Sequence, residues 1–190
     1  MKVISSVVSA LMLCVSTVAL SQSAAREPQG PKPGTELSSG QPAFDRLKTL
    51  AGNWKGMGAM GPESAQVRVT LRVTSGGSAI LQEMVPEGRS ADPLNGDDDP
   101  ITMLYIDGGR TILEMYCDGG KNRPRMVGTL SPDGKKVEFT FLDVAGGTKY
   151  GYMSHAVFTI IDADHHTEDW TYTTPDHKSG QGHIDLVRAK

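Results

Sequence analysis

Residues Val67-Arg68-Val69-Thr70-Leu71-Arg72-Val73-Thr74 alternate apolar and polar side chains without a break. Successive side chains on a strand point to opposite faces, so the stretch predicts a strand with one buried and one solvated face. Turn chemistry recurs on either side of it, at Ser75-Gly76-Gly77, Asp107-Gly108-Gly109, Ser131-Pro132-Asp133-Gly134, Gly146-Gly147 and Asp162-Ala163-Asp164. Runs that read as strands lie near 53–60, 66–74, 78–85, 101–107, 110–117, 124–130, 136–143, 151–161, 165–173 and 182–188. Short strands joined mainly by hairpin-length turns, with no long helical pattern between them, predict an all-β antiparallel meander. A meander this long curls, and closure removes its exposed edges. A two-sheet sandwich competes, but the short turns favour one up-and-down barrel of about ten strands. Phe44, Leu47 and Leu50 recur at threes, which predicts one or two helical turns across the mouth or side of the sheet, ended by Gly52.

The first residues follow another logic. Lys2 precedes an apolar run from Val3 to Leu20, and small residues follow at Ala19/Ser21 and Ser23/Ala25. That order predicts a cleaved secretory signal peptide over residues 1–25, and with it a periplasmic or secreted protein that is not membrane-embedded after cleavage. Cys14 lies deep in the run and not at its end, which argues against lipid attachment. Cleavage takes one lysine and no acid, so the net charge moves from −3 to −4. A mild acidic balance without a basic stripe argues against nucleic acid or anionic lipid as partners. Cys117 is then the remaining thiol, so the fold is expected to hold by burial without an internal disulfide. Residues 26–42 are rich in Pro, Gly and Ser and read as a flexible tether; the barrel domain is expected over 43–190. The insertion 86–100 is acidic and turn-rich, but lacks the alternating ligands of a calcium loop and reads as a solvated loop.

Three segments carry a family resemblance: FDRLKTLAGNWKG from Phe44, MYCDGGKNRPRM from Met115, and FTIIDADHHTEDWTY from Phe158 followed by HIDLVR. The chain resembles an uncharacterised lipocalin-like, calycin-type β-barrel family of exported bacterial proteins. The resemblance implies fold and location, and no activity comes with it. Where that family commonly has a His-x-His pair, this chain keeps only His155. The Gly52-x-Trp54-x-Gly56-x-Gly58 opening also resembles nitrobindin-type haem barrels. That likeness implies a haem-ligating histidine on the last strand, where His183 stands, although the usual Tyr-Pro pair is replaced by Met60-Gly61-Pro62.

Two clusters carry the polar chemistry. Around the Gly119-Gly120-Lys121-Asn122 turn, alternation puts Met115 and Cys117 on one face, and Arg123 and Arg125 share a face on the returning strand beside Met126. The arginines are placed to clamp an anion or to pair with Glu114 and Asp118. A cationic neighbour would lower the Cys117 thiol pKa, whereas packing would make it an inert small apolar residue. Farther on, His166, Glu168 and Trp170 share one side of a strand, while His165, Thr167 and Asp169 share the other. No nucleophile elbow, phosphate loop or zinc-protease helix is present.

These residues predict a small-molecule-binding barrel with no cofactor, no metal and no catalytic role. Met84, Met103, Met115, Met126 and Met153 fall on predicted strands as an adaptable apolar lining. Arg123 or Arg125 is expected to meet any acidic head group on a mostly apolar ligand. The competing readings are a haem or metal barrel using His183, His155 or His166, an enzyme using Cys117 or a His-carboxylate pair, and a structural role at the cell envelope. The oligomeric state is open.

Overall fold

A computed structural model describes residues 40–88, 100–116 and 119–190. The expected signal peptide, most of the expected tether, most of the 86–100 insertion, Cys117 and Asp118 lie outside the described residues. One short helix, α1 (Gln41–Lys48), is followed by ten strands. These are β1 (Gly52–Met60), β2 (Glu63–Thr74), β3 (Ala79–Pro86), β4 (Ile101–Asp107) and β5 (Arg110–Tyr116). They continue with β6 (Arg123–Leu130), β7 (Lys136–Ala145), β8 (Tyr152–Ile160), β9 (His165–Thr173) and β10 (Ser179–Arg188). Each strand pairs antiparallel with its sequence neighbours, and β1 also pairs with β10, from Trp54 opposite Arg188 to Met60 opposite Gly182. The result is the closed up-and-down barrel expected from the alternation.

Local chemistry accounts for the closure. In β2, Val67, Val69 and Leu71 are buried while Arg68 and Arg72 are exposed, as period-two alternation requires. The β4–β5 hairpin turns through Gly108 and Gly109, with φ of 54° and 80°, values glycine adopts without steric cost. Inside, Phe139, Phe158 and Trp170 pack edge-to-face across β7, β8 and β9, with centroids 5.5 and 5.7 Å apart. A bulge between Met153 and His155 shifts the alternation of β8, and Met153 packs against the core. Met84 also packs inward, Met115 and Met126 are buried, and Met103 is exposed. The expected methionine lining therefore loses Met103, which sits one residue out of phase with buried Thr102 and Leu104.

α1 closes one end. Ala43, Phe44, Leu47 and the following Leu50 are buried in the barrel core. Gly40 donates to the Gly109 carbonyl at 2.9 Å, Thr111 Oγ1 donates to the Gly40 carbonyl at 2.6 Å, and Arg46 Nε donates to the Gly134 carbonyl at 2.8 Å. Gln41 and Pro42, expected at the end of the tether, form the first turn of α1, where proline's missing N–H costs nothing. Trp54 sits above this plug and donates from Nε1 to the Leu50 carbonyl at 2.8 Å. The Arg188 guanidinium stacks on the Trp54 ring at 4.2 Å and donates to the carbonyls of Ala51 and Ala163. One side chain thus ties the β8–β9 turn to the start of β1. Among the described residues, no helix is long and apolar enough to cross a membrane.

Candidate functional site

At the end opposite α1 the wall thins. Gly58 of β1 and Gly182 of β10 stand on the inner files, where a side chain would otherwise fill the mouth. A Cβ on Gly58 would come within 3.2 Å of Val67 Cγ1, and one on Gly182 would press on the end of the Met60 side chain at 3.0 Å and touch the Ala59 carbonyl oxygen at 3.5 Å. Their absence opens a pocket of about 280 Å³ whose inner surface is Val67, Met84, Trp170 and Ile184. Met60 and Glu63 form part of its rim. A larger depression, about 470 Å³, lies outside the barrel, where the charged side chains of Lys55, Arg68 and Glu83 border an apolar floor that includes Val85.

Behind the pocket lies a buried polar cluster. Glu168 is two residues deeper than Trp170 on β9, and Gln82 two residues deeper than Met84 on β3. Gln82 Nε2 donates to both carboxylate oxygens of Glu168, at 2.8 and 2.9 Å. Trp170 Nε1 donates to Oε2 at 3.2 Å, and His166 Nε2 lies 3.3 Å from Oε1. Glu168 and His166 are fully buried and Gln82 is 2% exposed. Gln82 thus faces the carboxyl group with its amide nitrogen. That leaves Gln82 Oε1 and His166 Nδ1 without a partner. Buried polar atoms left unpaired cost about 1–3 kcal/mol each, so natural cores hold few of them. The His166 ring itself packs edge-on against Trp54, 4.3 Å between centroids.

The remaining candidate residues separate. His166, Glu168 and Trp170 come together inside, and Met115 and Met126 fill the core away from the open pocket. Arg123 and Arg125, expected beside an acidic head group, stand on the outer wall because they alternate with buried Pro124 and Met126. Arg125 pairs with Asp143 through two hydrogen bonds, at 2.8 Å from Nε and 2.5 Å from Nη2, and Arg123 reaches Glu114 at 3.7 Å. Glu114 also accepts from Tyr105 Oη at 2.9 Å. Neither arginine can meet a ligand inside the barrel. His183, expected as a haem ligand, likewise points outward, since Gly182 and Ile184 take the inner file. Its Nδ1 lies 2.6 Å from Asp169 Oδ1. His155 and His165 are outer residues too, paired with Glu138 at 2.9 Å and Asp185 at 3.0 Å. Among the described residues, no three His, Cys, Asp or Glu side chains gather into a metal-holding set.

The outer ion pair yields a pH prediction. Hydrogen bonding to Arg125 holds the Asp143 carboxyl below the usual carboxylate range. A depressed folded-state pKa adds stability above the unfolded value, about 4, and that stability is lost as pH falls through the folded value. Thermal melts from about pH 6 down to about pH 2 are expected to show wild type losing more than Asp143→Asn. Parallel losses would disprove the coupling.

Solved structures supply a fold neighbour. The chain is similar to a protein of unknown function from the DUF3598 family of Nostoc punctiforme PCC 73102, with a TM-score of 0.52 and 11% identity. The likeness is one of fold. It covers 75% of this chain and 48% of that one, so the chain spans about half the length of its neighbour. No family model and no curated protein matches the chain.

Sequence reasoning placed Met84 in the apolar lining but missed Val67, Gln82, Ile184 and the two pocket glycines as site residues. Two signals carried them. Gly58 and Gly182 fall on the same alternation as Trp54 and Ile184, which marks an inner wall without side chains. Gln82 interrupts the file Ile80-x-Gln82-x-Met84, where an apolar residue would otherwise be expected.

Proposed function

We propose that this protein is an exported, lipocalin-like barrel that binds a small, mostly apolar molecule without transforming it. The observation carrying the reading is the pocket walled by Val67, Met84, Trp170 and Ile184, made by the two missing side chains at Gly58 and Gly182. Its volume, about 280 Å³, falls just below the usual range for small-molecule sites, about 300–1,000 Å³, and suits a ligand of few atoms. An apolar wall with few polar groups behind it is the usual composition of such a site. Export rests on the leader pattern of residues 1–25, and the mild acidic charge leaves nucleic acid an unsuitable partner.

Native mass spectrometry tests the reading. Wild-type protein exposed to a lipid and small-metabolite extract is expected to retain one bound small molecule. Gly182→Leu should lose it, because the new side chain displaces the flexible end of Met60 and fills the mouth. Its melting temperature should stay within about 3 °C of wild type, equivalent to roughly 1 kcal/mol in a domain of this size. A consistently empty wild-type barrel would refute the binding reading.

A further inference from the structure

We infer that the pocket selects apolar molecules carrying a hydrogen-bond donor at the leading end, a hydroxyl or ammonium group, and rejects carboxylates. The inference rests on the binding reading above and specifies the chemistry of its ligand. Two observations carry it. Among the described residues, the acid buried inside the barrel is Glu168, two residues behind the pocket residue Trp170. The arginines that would receive an anionic head group stand on the outer wall, held by Asp143 and Glu114.

The donor requirement follows from the acceptor count. A carboxylate offers about four lone-pair sites. At Glu168 these are matched by the two contacts from Gln82, one from His166 and one from Trp170. The unpartnered buried atoms are Gln82 Oε1 and His166 Nδ1, and the Gln82 oxygen is the nearer to the pocket, two residues behind Met84 of its wall where His166 is four behind Trp170. A hydroxyl or ammonium entering past Met84 and Trp170 would donate to that oxygen, beside the carboxyl group of Glu168. A carboxylate entering by the same route brings no donor and loses its water without meeting a cation, since both arginines stand outside.

Benzyl alcohol, benzylammonium, benzoate and toluene separate these possibilities, sharing one ring and differing at one group. Titrations followed by two-dimensional NMR should show the alcohol and the ammonium binding at least about tenfold more tightly than benzoate. Benzoate binding as tightly as the alcohol in wild type would overturn the inference while leaving the binding reading intact, and this comparison needs no variant. Failure of all four probes, toluene included, to shift the resonances of Val67, Met84, Trp170 or Ile184 would overturn both.

Discussion

Replacing Trp54 with alanine is expected to lower the stability of the domain by about 3–5 kcal/mol, the range for deleting a large buried aromatic. The side chain is 1% exposed and joins three parts of the closed end. It accepts the stacked Arg188 guanidinium, packs edge-on against His166, and donates to the Leu50 carbonyl behind the α1 plug. The loss therefore includes a cavity, a cation–π contact and a buried carbonyl left without a donor. Against a typical total of about 5–15 kcal/mol, the change is large. Urea unfolding reads it directly, and Trp170 remains as the fluorescent reporter in the variant. Trp54→Phe retains most of the ring surface and loses the hydrogen bond, so a cost near 1 kcal/mol is expected. A Trp54→Ala cost below about 1 kcal/mol would contradict the plugged-end architecture.

The second large effect concerns the core carboxylate. Glu168→Leu is expected to cost about 3–5 kcal/mol, because it strands three buried polar partners together, the side chains of Gln82, Trp170 and His166. Removing both main partners should cost less than removing one. Gln82→Leu added to Glu168→Leu is expected to recover at least about 1 kcal/mol, since paired apolar replacements in a core are close to neutral. Strict additivity in urea unfolding of the two singles and the double would show that Gln82 and Glu168 are not coupled.

The alternation of β2 and the turn glycines made the barrel legible, because a period of two states which face is buried before any partner is known. The same rule placed His166, Glu168 and Trp170 on one side of β9. It also contained the correction for His183, since Ile184 and Leu186 claim the inner file and leave His183 outside. The haem likeness drew attention to residue type where parity decided direction. The role of Gln82 depends on longer range. Its partner Glu168 lies 86 residues away, and no local pattern specifies which strands meet across a barrel interior. The ion pairs of Arg123 and Arg125 depended in the same way on cross-strand register, with Asp143 reached only after a bulge at Arg125/Met126.

The pairing of β1 with β10 governs how the chain can assemble. The first strand finds its closing neighbour only when residues 179–188 arrive, so any shorter intermediate carries two unpaired strand edges. Loop entropy must be spent across nearly the whole domain before the last ladder repays it, which places closure late and makes it slow relative to hairpin formation. Arg188, at the very end of β10, then fastens onto Trp54 and the β8–β9 turn, so the final step of the ring is also the one that locks the plug.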